Sequence, residues 1–414
     1  MIKIKNRIDC VGCDACNQIC PKQCISMMAD EQGFFYPYVE TSKCIECGLC
    51  EKVCPVINQF DSKTPLQVFA GWNPDEHLRI SSSSGGIFYE LARKVLSNGG
   101  VVFGARFNDQ WEVVHSFSET LEGISAFQGS KYVQSKIGQS YLDAQRFLKA
   151  GKKVLFSGTP CQIAGLKKFL RNDYHDALLT VDVVCHGVPS PKVWIDYLNS
   201  LFNQGESNIS ESQSFNQSIS RLNCIKNISF RNKRLGWEHF GFSINYSKSE
   251  TSNDSQAFSN NQINDSCELF EPFNKNLFLR GFLKDLYLRP SCYSCPAKCG
   301  KSHSDITLAD FWGINNYHPE LHSNEGISLL MANSEYGAKI ITELDIPLFE
   351  ATYEEAVAGN PAIIHSAKRP RKYEYFWNSY FKDGVIAIEK SIKVKMTRKI
   401  HNKLIRIVRS LLKH

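Results

Sequence analysis

Two runs of cysteine carry the most legible chemistry in the chain. Cys10, Cys13, Cys16 and Cys20 are followed by Pro21, and Cys44, Cys47, Cys50 and Cys54 by Pro55; both runs have the spacing C-x2-C-x2-C-x3-C-P. Thiolates are the soft ligands that iron–sulfur clusters take. Three of them two residues apart wrap one face of a cubane in a tight loop, and Gly12 and Gly48 permit the turns such a loop needs. The proline limits the local helix and sends the chain toward a second centre. Paired zinc sites are the rival reading, but zinc is normally held by short cysteine pairs rather than by four-cysteine runs closed with proline.

This tandem motif resembles bacterial two-cluster ferredoxins, in which the fourth cysteine of each run serves the other cluster. The resemblance implies one [4Fe–4S] cluster on Cys10, Cys13, Cys16 and Cys54, and a second on Cys44, Cys47, Cys50 and Cys20. Between the runs, Ile25–Met28 and Phe34–Val39 flank a turn at Asp30–Gly33, which reads as a hairpin covering the clusters. Cys24 falls outside the pattern and reads as a buried free thiol.

A third group of cysteines lies far along the chain at Cys292, Cys295 and Cys299. Outside the first module no second C-x2-C exists to complete a zinc ribbon, so the available partners are Cys161 and Cys185. Cys161, Cys185, Cys292 and Cys295 would make a four-thiolate site for a third cluster. Cys299 competes for a place in it. A thioredoxin-like dithiol and a structural zinc are the other readings of the same pair.

The elements around these residues support a shared site. Lys153–Phe156 is strand-like, Ser157–Cys161 turns, Gln162–Leu170 is helical with Pro160 in its first turn, and Leu178–Val184 is the next strand. This βαβ pattern predicts parallel strands with Cys161 and Cys185 just past their C-terminal ends, the edge where open α/β sheets place ligands. Earlier, Gln67–Trp72 and Val101–Gly104 read as strands around a helix at Ile87–Leu96. Ser81–Gly86 opens that helix, as an anion-binding loop or as an ordinary serine-rich cap. Residues 58–65 read as a linker. Residues 204–220 and 247–266, rich in Ser, Asn, Gln and Glu, read as mobile insertions, with Cys224 and Cys267 beside them incidental.

The expected fold is an α+β ferredoxin-like module at 1–60, an α/β domain with a mixed, partly parallel sheet at 66–365, and a basic tail at 366–414. Residues 389–414 hold nine Lys or Arg against one acid, Glu389, and Ile400, Leu404, Ile407, Val408 and Leu411 share a helical face. Such a helix can lie on anionic membrane as a peripheral contact, or pack its stripe on the domain. Sixteen cysteines without a signal peptide or a bilayer-spanning apolar run point to a reducing, cytoplasmic setting. The formal charge of +6 over 414 residues gives no reason to expect a nucleic-acid partner.

Ser83–Gly86, Gly129–Val133, Ser157–Gln162, Val184–Pro191, Arg289–Cys292 and Ser304–Gly313 together resemble the family of coenzyme F420 hydrogenase/dehydrogenase beta subunits. With the module in front, the chain is similar to bacterial members that fuse both parts, many of them found among polysaccharide-biosynthesis genes. The resemblance implies an FAD and a [4Fe–4S] cluster in the body. It places flavin or phosphate contacts at Ser84, Gly85, Gly86 and Lys131, and cluster ligands at Cys161, Cys185, Cys292 and Cys295; it does not require Cys299. It implies an FAD- and iron–sulfur-dependent oxidoreductase that relays electrons from a low-potential donor protein to a deazaflavin-like or other small hydride acceptor. The alternative is an electron-transfer partner with no substrate of its own. His186 and Asp310 lie close in sequence to the proposed third site, as proton carriers or as structural residues, and no catalytic residue is named.

Overall fold

The computed structural model describes residues 1–172, 174, 176–202, 222–247 and 266–393. The first sixty residues pair β1 (Ile25–Ala29) with β2 (Phe35–Val39) in an antiparallel hairpin. Asp30 closes its turn, Oδ1 accepting from the amides of Gln32 at 3.0 Å and Phe34 at 2.9 Å. One-turn helices α1 (Ala15–Gln18) and α2 (Leu49–Lys52) follow the two cysteine loops. Each stops just before a Cys-Pro pair, because the residue ahead of proline is held out of helical geometry.

The body is built on an eight-stranded sheet of β3 (Gln67–Gly71), β4 (Val101–Phe107), β5 (Val113–Ser118), β6 (Val154–Gly158), β7 (Leu178–Val183), β11 (Ile306–Asp310), β12 (Ser328–Ala332) and β13 (Leu348–Ala351). Its order is β13-β3-β12-β11-β7-β6-β4-β5. The central four, β11-β7-β6-β4, run parallel, and every other pairing is antiparallel. Helix α3 (Ile87–Ser97) covers one face with Leu91 and Ala92. Helices α4 (Ser140–Lys149) and α5 (Pro160–Leu170) cover the other with Tyr141, Phe147, Ile163 and Leu166. Val11, Cys13, Ala15 and Val53 belong to that same packed cluster. The module therefore shares a core with the body, and Gln18 Oε1 accepts from the otherwise orphaned amides of Tyr141 and Leu142 at the start of α4.

Between β7 and β11 the chain adds helix α6 (Pro191–Phe202) and an antiparallel sheet of β8 (Ile225–Asn232), β9 (Gly241–Ser247) and β10 (Ser266–Pro272). The sequence reading had no strand here. Polar stretches flank these segments, and the aromatic residues that drive them inward, Phe230 and Phe242, find their partners in tertiary contact, among them Trp194, Phe278, Tyr132 and Tyr197. The expected insertions at 204–220 and 247–266 lie outside the described residues, apart from Ser247 and Ser266, which pair across the hairpin.

The 58–65 segment is pinned rather than free. Phe60 stacks on His303 at 4.5 Å, Lys168 lies over the Phe60 ring, and the Lys63 amide donates to the Cys299 carbonyl. The segment read as a tail from 366 begins with two helices, α7 (Tyr373–Asp383) and α8 (Ile386–Ile392), that bury Phe376, Trp377, Tyr380 and Ile388 in the largest hydrophobic cluster. The apolar stripe at Ile400–Leu411 lies outside the described residues. Among the described residues no helix is long and apolar enough to cross a membrane.

Candidate metal centres

The two cysteine loops repeat in conformation as well as in sequence. Gly12 and Asp14 have φ of 68° and 67°; Glu46 and Gly48, at the matching places of the second loop, have 52° and 71°. Two left-handed residues one apart fold each loop tightly enough to turn three thiols toward one side. Amides also point at sulfur: Gly12 to Cys10 and Glu46 to Cys44, each at 3.4 Å, and Ile2 to Cys50 at 3.3 Å.

The thiols then stand around three cavities. One is lined by Cys10, Cys13, Cys16 and Cys54. A second is lined by Cys20, Cys44, Cys47 and Cys50, with Cys24 as a fifth. The third is lined by Cys161, Cys185, Cys292 and Cys295. Four thiols around a cavity are the donor set that a [4Fe–4S] cluster takes. The hairpin supplies Met27 and Pro37 to the first cavity and Ile25 and Val39 to the second.

The cavities differ in depth. Cys10, Cys13, Cys16 and Cys54 are all buried, whereas Cys47 is exposed. Cys16, Cys50 and Cys54 pack in one cluster with Ile2 and Ile25, so the first and second cavities are neighbours. Val11 lines both the first and the third. On α5, Cys161 lies one turn ahead of Gly165, about 6 Å along the axis. A Cβ on Gly165 would stand 2.8 Å from Cys13 Cβ and 3.0 Å from its sulfur, which leaves room for glycine alone.

Burial raises the thiol pKa values, Cys185 to about 11 and Cys161 to about 12. A metal centre held by these thiols would therefore displace their protons. Arg289 and Lys298 partly offset the burial, easing Cys161 and Cys185 respectively toward thiolate. Cys299 is not among the lining residues; it has φ 58° and turns its sulfur to the Ile364 carbonyl at 3.7 Å. Cys24 Sγ lies 3.4 Å from Cys20 Sγ. Cys267 pairs with Tyr246 in β10.

His186 also lines the third cavity, with Nε2 2.5 Å from Asp285 Oδ1. Its ring meets Phe282 edge-on at 5.7 Å, and Phe282 stacks on Tyr132 at 4.9 Å. The Tyr132 hydroxyl accepts from Arg231, whose guanidinium also holds Asp310 through two bonds of 2.8 and 3.0 Å. Asp310 accepts a further bond from the Trp237 indole, and Trp237 stacks on Trp312 at 4.7 Å. Asp310 is thus fully engaged as an anchor.

Ser84, Gly85, Gly86 and Lys131 meet this same end of the sheet. The Ser84 hydroxyl donates to the Ile327 carbonyl at 3.0 Å and the Gly85 amide to Ser328 Oγ at 2.9 Å. Gly85 has a packing reason, since a Cβ would lie 2.7 Å from the Gly71 carbonyl oxygen. Gly86, at φ 85°, sits ahead of α3. Lys131 Nζ donates to the carbonyls of Ala126, Gln128 and Gly129; Lys233 Nζ donates to those of Arg79, Ser84 and Glu325. Burial draws both ammonium groups down to about 7. Arg231 Nε is buried without a partner. Each ammonium thus spends its three donors on carbonyls of the chain, and the Arg231 guanidinium spends its charge on Asp310. Arg231, on β8, and Lys233 and Trp237, in the turn between β8 and β9, escaped the sequence reading because that hairpin was unforeseen.

Residues 151–347 match the family model for the C terminus of coenzyme F420 hydrogenase/dehydrogenase beta subunits, and residues 9–58 match a 4Fe-4S dicluster domain. One of the F(420)H(2) dehydrogenase subunits of Methanosarcina mazei is 19% identical over 185 residues, 42% of this chain and 53% of that protein. The coenzyme F420-dependent sulfite reductase of Methanocaldococcus jannaschii is 28% identical over 207 residues, 47% of this chain and 30% of that protein. The chain thus spans only part of the length of each. A chain of the F420-reducing [NiFe] hydrogenase complex from Methanosarcina barkeri aligns with a TM-score of 0.43 and 16% identity, over 80% of this chain and 92% of that one.

Proposed function

The chain belongs to the family of coenzyme F420 hydrogenase/dehydrogenase beta subunits, with a 4Fe-4S dicluster module in front, and is an iron–sulfur electron-transfer protein; from that premise we propose that it is an oxidoreductase connecting a low-potential donor protein to a hydride acceptor. The two module clusters would be held by Cys10, Cys13, Cys16 and Cys54, and by Cys20, Cys44, Cys47 and Cys50. A third would be held by Cys161, Cys185, Cys292 and Cys295. An FAD would lie at the sheet edge formed by Ser84, Gly85, Gly86 and Lys131. Clusters supply single-electron transfer and a flavin supplies the conversion of two electrons to a hydride; the protein sets spacing, charge and access.

The observation that carries this reading is the contiguous order of the four-thiol cavities. The cavity with exposed Cys47 offers a docking port, the buried one stands behind it, and the third shares Val11 with the buried one. His186, Phe282 and Tyr132 then lead from the third cavity to Arg231 in unbroken contact.

The partner-protein reading draws support from the M. mazei relative, which is named as one component of a dehydrogenase. An assay of the isolated, cluster-loaded chain with reduced viologen and a panel of deazaflavin, nicotinamide and quinone acceptors separates the two. Steady-state acceptor reduction supports the oxidoreductase. Fast reduction of the protein without turnover supports the partner. Failure of viologen to reduce the loaded chain contradicts both.

A further inference from the structure

The residues lining the three cavities differ in charge in a way that orders the sites. The first cavity, behind the exposed port, is lined by two carboxylates, Asp9 and Asp14, and the cation beside it is Arg289, which reaches the Cys10 carbonyl and Gly12 from the third site. The second is lined by Lys22 and Glu46 and by Met1, whose terminal ammonium pairs with Glu51. The third is lined by Arg289 and Lys298 and by no Asp or Glu.

Both cations of the third cavity are held without a carboxylate. Arg289 is 1% exposed. Its Nε donates to the Cys10 carbonyl at 2.9 Å, Nη1 to Gln134 Oε1 at 3.0 Å and Nη2 to the Phe35 carbonyl at 2.9 Å, and the guanidinium lies over the Tyr36 ring. Lys298 Nζ donates to the carbonyls of Cys185 at 2.5 Å and Ala362 at 2.6 Å. Neutral acceptors alone do not offset the cost of burying a full positive charge. A four-thiolate cluster carries net negative charge and gains one more on reduction. Nearby cations stabilise the reduced form, and carboxylates do the reverse.

Resting on the third-cluster reading above, we propose that Lys298, which belongs to the third site alone, and Arg289, which stands between it and the Cys10 loop, are the counter-charges of the third site and together set its potential above that of the carboxylate-lined first, so that electrons entering the module are drawn into the body. Arg289 has a second part in the same device: it ties the Cys10 loop to the wall of the third cavity, holding the two sites at fixed separation. Neither residue touches reacting atoms of a substrate, so both are positioning residues.

The test is a potentiometric titration followed by electron paramagnetic resonance on the full chain purified without oxygen. A Cys292→Ser/Cys295→Ser variant identifies the third-site signal by its loss. In the unaltered protein that signal should appear at less negative potential than those of the module. Lys298→Gln and Arg289→Gln should each shift its reduction equilibrium at least tenfold toward the oxidised form, which is about 59 mV for a one-electron couple. Arg289→Lys should retain most of the original value, and Lys298→Gln leaves the module's docking contacts intact should Arg289→Gln fail to fold. A third-site signal more negative than the module's, or one unmoved by loss of either charge in protein with about twelve irons, overturns the proposal. About eight irons in the unaltered chain, with no signal lost in the double-cysteine variant, removes the third cluster itself and the proposal with it.

Discussion

Arg289 Nε donates to the carbonyl of Cys10 at 2.9 Å although the two residues lie 279 positions apart. This bond joins the loop of the first thiol cavity to the segment that carries Cys292 and Cys295. Around it, the buried ring of Val11, Cys13 and Ala15 belongs to the same hydrophobic cluster as Tyr141, Ile163 and Leu166. The module is therefore a fixed part of the body, and its loops are subject to the body's packing.

That packing separates two left-handed glycines, Gly12 early in the first cysteine loop and Gly48 late in the second. Gly12→Ala would add a Cβ 2.7 Å from Gln134 Nε2 and 2.8 Å from Arg289 Nη1, at φ 68°. Gly48→Ala, at φ 71°, would meet nothing within 4 Å. The second substitution should cost about 1 kcal/mol of backbone strain, and the first roughly 2 kcal/mol or more, as overpacking adds to that strain. Chemical denaturation of both variants checks this; equal losses would contradict the docked arrangement.

The orientation of Cys299 gives a discriminating pair. Cys295→Ser should lose about four irons per chain, and Cys299→Ser, whose sulfur faces the Ile364 carbonyl, should keep its full complement. Iron analysis of the two purified variants decides it. Loss of iron from the Cys299 variant alone would exchange their roles.

Asp182 carries a pH signature. It is 2% exposed on β7, accepts from Thr307 Oγ1 at 2.5 Å, and burial lifts its pKa from 3.8 to about 6. The native state thus holds the proton more tightly than the unfolded state. This group's contribution to stability is greatest at low pH and is lost as pH rises through about 6. Relative to Asp182→Asn, the wild type should gain roughly 1 kcal/mol between about pH 7.5 and pH 5. Urea unfolding at several pH values measures the difference, and a gap independent of pH would show that Asp182 is ionised throughout.

Much of this architecture was legible from local pattern. Cysteine runs, the β6-α5-β7 unit and the hairpin at Asp30 are encoded within a few residues, because spacing, turn residues and alternation act at short range. The four thiols of the third cavity come from segments more than a hundred positions apart, yet so few cysteines remained outside the module that composition narrowed the choice. Lys298 left no such trace, and Arg289 entered only as the first residue of the Arg289–Cys292 motif. Their weight as charges comes only from burial without a carboxylate. The sheet of β8, β9 and β10 was hidden by the polar stretches that interrupt it. The glycine of the Ser81–Gly86 loop drew attention as a phosphate cradle, while the contact between Gly85 and the Gly71 carbonyl gives it a packing role that no local signal reveals.

Iron, acid-labile sulfide and flavin measured per chain, on protein purified without oxygen, test the central claim most directly. Three four-thiol cavities and a flavin at the Lys131–Lys233 edge predict about twelve irons, about twelve sulfides and about one FAD. About eight irons with no flavin would contradict the account, leaving a two-cluster module docked on a body whose four gathered cysteines serve some other end.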